Sequence, residues 1–92
     1  MKTKADIPDL IKDGAIVVDV RSPQEFASGS RPGSLNIPLN DLERRLKELD
    51  AEKTYILCCA SGGRSGAALS FLKSKGFENV VNAGPWTNTL AK

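Results

Sequence analysis

Two adjacent cysteines, Cys58 and Cys59, stand immediately before Ala60-Ser61-Gly62-Gly63-Arg64-Ser65. A thiol at the end of a buried strand, followed by a Gly-rich turn that opens a helix, lies where several backbone N–H groups converge. Those amides, with about half a positive charge at the helix N-terminus, make an anion site. Arg64 adds a full charge from the same loop, and together these effects bring a cysteine pKa from its usual ~8.5 to below neutral. Gly62 and Gly63 let the backbone curl round the sulfur and take positive φ without a Cβ penalty. Cys59 is therefore the candidate catalytic nucleophile, and Ala60, Ser61, Gly62, Gly63, Arg64 and Ser65 are the candidate substrate-binding loop.

The chain contains no histidine, which removes the Ser-His-Asp triad, the Cys-His dyad and imidazole-ligated zinc. Cys59 must be activated by its loop, and no metal or cofactor is expected. Adjacent cysteines cannot staple distant segments, and a bond between neighbours violates the usual separation limits, so both read as thiols. Cys58 belongs to the strand and alternates away from Cys59, as a small core hydrophobe. Ser65 is read as the N-terminal residue of the helix, since nothing can serve as its base. Asp19 and Arg21 form a polar pair at the end of another buried strand and are assigned structural support through hydrogen bonds and an ion pair. Trp86 is read as a packing residue or apolar lid near the chain end.

Short elements punctuated by Gly and Pro position these groups. Residues 6–14 read as a short helix that Asp6 can cap. Residues 15–20, a β-branched run without alternation, read as a central parallel strand covered on both faces. Ser22-Pro23-Gln24-Glu25 is in capping-box register, so a second helix follows and ends near Gly29. Residues 35–37 make a short strand stopped by Pro38. A further helix is predicted from Asn40 or Asp41, with Asn40 and Glu43 as a capping pair and Leu42, Leu46 and Leu49 as its apolar stripe. Residues 54–58 form the strand before the cysteine loop, 65–75 a helix stopped by Gly76, and 78–82 the last strand; the tail from Gly84 forms a loop and at most one helical turn. Alternating strands and helices predict an α/β domain with a mostly parallel central sheet flanked by helices on both faces.

The chain has 92 residues, enough for a single domain over residues 1–92. Apolar residues make up 40% and charged residues 26%, far from the composition of disorder. With a net charge of only +2 and no basic stripe, nucleic acid is not an expected partner. No stretch approaches the ~20 apolar residues of a membrane span, and Met1-Lys2-Thr3-Lys4 runs into polar residues rather than a signal-peptide core. A soluble cytoplasmic monomer is expected, or a periplasmic one if a signal peptide preceded this sequence.

Cys59-Ala60-Ser61-Gly62-Gly63-Arg64-Ser65 resembles the active-site loop of the rhodaneses, the thiosulfate sulfurtransferase family. Val18-Asp19-Val20-Arg21 with Ser22-Pro23-Gln24-Glu25-Phe26 resembles the family's Asp-Val-Arg strand and Glu-Phe helix. Pro32-Gly33-Ser34-Leu35-Asn36-Ile37-Pro38 is similar to its Pro-Gly-Ala-x-Asn-Ile-Pro segment. Gly76-Phe77-Glu78-Asn79-Val80 is likewise typical, and Asn82-Ala83-Gly84 is similar to the small single-domain type represented by phage-shock-protein E. The resemblance runs from about Ile16 to Gly84. It implies a rhodanese-like fold and transfer of a sulfane sulfur, through a Cys59 persulfide, from thiosulfate or polysulfide to cyanide, a thiol or a protein acceptor. The chain departs from many relatives at Ser30 and Arg31, in place of His and Ile, and at Ala60, in place of Arg. Arg64 is left as the loop's sole charge, which weakens the case for the dianion thiosulfate against less charged donors.

Two other functions are open to the same residues. Counted from Cys58, five residues precede Arg64, the spacing of the Cys-based phosphatase loop. A non-catalytic rhodanese-like module that binds a partner is the other alternative.

Overall fold

The β-branched run after Gly14 forms β1 (Ile16–Asp19), at the heart of a four-stranded sheet. The chain is described by a computed structural model covering residues 6–90; Met1 to Lys4, scanned above for a leader, lie outside the described residues. The other strands are β2 (Leu35–Asn36), β3 (Tyr55–Cys59) and β4 (Val80–Pro85), in the order β2-β1-β3-β4 with every neighbouring pair parallel. The helices are α1 (Ile7–Lys12), α2 (Pro23–Ser28) and α3 (Gly63–Ser74).

Side-chain alternation divides the core between the two faces of the sheet. Val18, Leu57, Cys59 and Val80 pack with Ala68 and Leu72 of α3. Val17, Ile56, Cys58 and Ala83 pack with Ile7 of α1 and against Trp86. Ser65, Ala68 and Leu72 fall at i, i+3 and i+7, so α3 lays one stripe on the sheet. This is the predicted α/β layering, with a helix on each face.

The capping box of α2 forms as its sequence requires: the Glu25 amide donates to Ser22 Oγ at 3.2 Å, and the Ser22 amide donates to Glu25 Oε1 at 2.9 Å. Several expectations need correction. Asp6 makes no side-chain cap to α1, because its backbone is already helical (φ −90°, ψ −2°) rather than extended. The helix predicted from Asn40 is replaced by 3₁₀ turns at Leu39–Asp41 and Leu46–Glu48, without a side-chain cap at either. Leu39 and Leu42, and Leu46 and Leu49, are three residues apart, a spacing that 3₁₀ turns stack on one side. All four leucines join the α3-side core without an α-helix. The last strand begins later and runs further than predicted, because a register shift beside Leu57 and Cys58 lets β4 continue through Gly84 (φ 78°) to Pro85. The tail closes as a 3₁₀ turn, Trp86–Leu90, tied down by Arg31 Nη1 donating to the Thr89 carbonyl at 2.5 Å.

Candidate active site

β3 ends at Cys59, and three residues later Gly62 adopts φ 105°, a conformation that only glycine takes without strain. This turn sends the chain directly into α3, which therefore starts at Gly63, two residues before the predicted start. Gly63 is a helical residue with no positive φ, contrary to the expectation that both glycines would take one. Ser65 is correspondingly the third residue of the helix rather than its first. Gly62 offers no side chain to the first turn, and the sulfur of Cys59 takes the place of a cap. It accepts the Gly62 amide at 3.0 Å and the Ser65 amide at 3.4 Å, with Ser65 Oγ at 3.3 Å.

These contacts decide the acidity of the thiol. Cys59 is buried, which raises its pKa. The Ser65 hydroxyl and the amides of Ser65, Gly62 and Ser61 outweigh that, and the thiol lies below its ordinary value. Cys58, one residue earlier, is equally buried but has no such donors. Burial first, then the charge of Asp19, pushes its thiol up to about 12. Its side chain lies in the α1-side cluster, on the face opposite α3. The phosphatase count from Cys58 fails for this reason: that thiol points away from the helix that carries Arg64.

Arg64 stands in the first turn of α3, and its guanidinium is not directed at the sulfur. Nη1 donates to Glu25 Oε1 at 2.7 Å and Nη2 to Oε2 at 3.0 Å, a two-pronged pair that is 39% exposed on the Arg64 side and 38% on the Glu25 side. The Arg64 bond, then the Ser22 amide, lower Glu25 to about 2. A groove of about 350 Å³ opens beside Arg64, lined by Val20, Ser22, Pro38, Leu39 and Asn40. Ala60 and Ser61 form the exposed outer side of the turn.

Two residues that the sequence left outside the site complete it. Asn82 Oδ1 accepts from Ser65 Oγ at 2.6 Å and from the Gly84 amide at 2.8 Å, so it fixes the Ser65 oxygen beside the sulfur and shares that oxygen's single proton with Cys59. Its signal was a polar side chain within a β-branched strand. Glu25 was legible only as a cap, and nothing local pairs it with a residue 39 positions away. Asp19, the last residue of β1, and Arg21 are both buried. Arg21 Nε donates to Asp19 Oδ1 at 2.9 Å, and Nη2 donates to Asp19 Oδ2 and the Gly29 carbonyl, each at 2.7 Å. Trp86 covers this guanidinium, with its ring centroid 5.1 Å from Arg21 Cζ. Asn36 Nδ2 donates to the carbonyls of Asp19 and Arg21, fixing the chain as it leaves β1. Among the described residues, no group of three His, Cys, Asp or Glu could hold a metal ion, and no helix is long and apolar enough to cross a membrane.

The rhodanese-like domain family matches residues 3–84. The chain belongs to the rhodanese-like family. A thiosulfate sulfurtransferase, GlpE, from Ectopseudomonas mendocina is 35% identical over 74 residues, covering 80% of this chain and 68% of that one. Among solved structures, a rhodanese-related protein from Thermoplasma volcanium is similar with a TM-score of 0.82 and 39% identity, over 95% of this chain and 86% of the other. The human single-domain sulfurtransferase TSTD1 superposes with a TM-score of 0.83 at 29% identity, over 94% and 90% of the two chains. The rhodanese-like chain spans between 40% and 65% of the length of other bacterial relatives that it matches.

Proposed function

We propose that residues 1–92 form a single rhodanese-like domain that acts as a sulfurtransferase, carrying a sulfane sulfur on Cys59. The observation that carries this reading is the sulfur of Cys59 held by the Gly62 and Ser65 amides at the start of α3. In the first step the Cys59 thiolate attacks the sulfane sulfur of thiosulfate or polysulfide. A new S–S bond forms at Cys59, the donor's S–S bond breaks, and its electron pair leaves with sulfite or the shortened polysulfide. The negative terminal sulfur then lies over the turn from Ala60 to Gly63, where backbone amides and the helix terminus favour an anion. In the second step cyanide, a thiol or a protein thiol attacks that outer sulfur and returns the Cys59 thiolate. Asp19 and Arg21 brace the chain at the end of β1 and take no part in bond changes.

Mass spectrometry of the purified protein tests this directly. Incubation with thiosulfate or polysulfide should add one sulfur atom to Cys59, and cyanide should remove it. A chain that takes up sulfur from neither donor would instead be a non-catalytic module.

A further inference from the structure

The Ser65 hydroxyl has a single proton to share among the acceptors around it. Asn82 Oδ1 lies at 2.6 Å, while the Cys59 sulfur and the Gly62 carbonyl both lie at 3.3 Å. The Gly84 amide, which can only donate, lies 2.8 Å from the same Asn82 oxygen and so fixes which end of that side chain accepts. The short contact claims the Ser65 proton while Cys59 is a thiol, and the S–H can then donate to Ser65 Oγ. Sulfur, hydroxyl and amide oxygen form one chain in which each proton has an acceptor. When the sulfur ionises it has no proton to give, and the hydroxyl turns to donate to it. Asn82 Oδ1 is not orphaned by that turn, because the Gly84 amide still serves it. Ser65 is fully buried, so bulk water does not compete for the proton.

We infer that Asn82 is a positioning residue that acts on Cys59 through Ser65: its side-chain oxygen holds the Ser65 hydrogen bond while the sulfur is protonated or loaded, and yields it when the sulfur is a thiolate. This deepens the sulfurtransferase reading and rests on it for the two half-reactions. No proton leaves Ser65; only the acceptor of its hydrogen bond changes. On loading, Cys59 turns from a thiolate into a neutral, two-bonded sulfur, a poor acceptor, and the hydroxyl returns to Asn82. On unloading, cyanide attacks the outer sulfur of Cys59–S–SH. A carbon–sulfur bond forms, the sulfur–sulfur bond breaks with its electron pair on Cys59, and the outer proton passes to water. The hydroxyl swings back to the sulfur as that charge appears. Without Asn82 the hydroxyl would stay on the sulfur, making the thiolate a weaker nucleophile in loading and a better leaving group in unloading. Nearby charged groups do not supply this control. Cys58 on β3 stays neutral, its thiol pushed up to about 12, and Arg64 on α3 is paired with Glu25. Asp19 is paired with Arg21 at the end of β1, and β4 contains no titratable residue.

The test reads the rate of iodoacetamide labelling at Cys59 against pH, located by mass spectrometry, in wild type, Asn82→Ala, Ser65→Ala and the double variant. Asn82→Ala should move the midpoint down, and this shift should vanish in the Ser65→Ala background, where no hydroxyl remains to redirect. Asn82→Asp keeps an acceptor for both Ser65 and Gly84 and serves if Asn82→Ala does not fold. It should move the midpoint up, by more with Ser65 present than without. Loading from polysulfide, measured above the midpoint, should slow about threefold in Asn82→Ala, and unloading by cyanide should quicken about threefold. A midpoint unchanged or raised in folded Asn82→Ala, or one that falls equally with and without Ser65, would overturn the role of Asn82 while leaving sulfur transfer intact. So would loading and unloading that change in the same direction. Labelling that responds as expected in a protein that polysulfide never loads would uphold the hydroxyl's turn and overturn the sulfurtransferase reading itself.

Discussion

Cys58 and Cys59 are neighbours in sequence, equally buried, and on opposite faces of one strand. Their surroundings make them chemically different. The Cys58 sulfur sits among Ile7, Val17, Ile56 and Ala83, where burial and the charge of Asp19 outweigh that of Arg21, and its pKa rises to about 12. The Cys59 sulfur faces the start of α3, where two amides and a hydroxyl lie between 3.0 and 3.4 Å, and its pKa falls. Burial alone therefore does not decide whether a thiol is inert. What decides it is whether burial is accompanied by donors, and here a single step along β3 changes that.

The largest effect should come from exchanging the two thiols' fates. Cys59→Ala should abolish sulfur loading completely, while Cys58→Ala retains it at a stability cost of about 1 kcal/mol for the small cavity. Mass spectrometry of both variants after polysulfide treatment decides this, and loading that survives Cys59→Ala would break the contrast.

Alkaline stability should separate the pair next. Cys58 stays protonated in the fold up to about 12 but ionises in the unfolded chain near its ordinary value of 9.0. Between those values the folded protein holds a proton that the unfolded one has released, so stability falls as pH rises, by up to ~1.4 kcal/mol per pH unit. Cys59, with its lowered pKa, has the opposite sign: its contribution builds as pH climbs to 9.0 and is complete above it. Urea titrations above about pH 9 should show a shallower decline in Cys58→Ala than in wild type. Parallel curves would mean that Cys58 ionises freely in the fold.

A smaller effect is expected at Ser65. Ser65→Ala removes the hydroxyl facing Cys59 and keeps the amides, so the thiol pKa should rise and alkylation at neutral pH should slow. The rate of iodoacetamide labelling against pH measures this; an unchanged midpoint would assign the whole effect to the backbone. The smallest contrast lies in the adjacent glycines. Gly62→Ala must place a side chain at φ 105° and should cost ~1–2 kcal/mol in thermal unfolding. Gly63→Ala meets nothing within 4 Å and should stay within about 0.5 kcal/mol of wild type.

Much of the contrast was readable in the sequence, because it depends on local rules. Strand alternation separates Cys58 from Cys59, the Ser22 box starts α2, and the β-branched run at residues 15–20 marks a strand covered on both sides. What escaped was non-local or depended on one torsion. The Glu25–Arg64 pair joins two helix starts that approach only after the sheet has formed, so Arg64 read as a free charge. Gly62 alone needs a left-handed backbone, which two consecutive glycines cannot reveal. The leucines at 42, 46 and 49 suit an α-helix and a pair of 3₁₀ turns equally well, and the stripe therefore placed them against the core correctly but with the wrong winding. Asn82 became visible only when the register shift in β4 carried Gly84 round to its side-chain oxygen.

The sulfur that caps α3 also makes the backbone a witness to the chemistry. The Gly62 and Ser65 N–H groups point at an atom whose charge and size change each time sulfur arrives or departs. Their nuclear-magnetic-resonance frequencies and deuterium exchange rates should track occupancy of the thiol, giving a label-free count of loaded molecules in a mixed population.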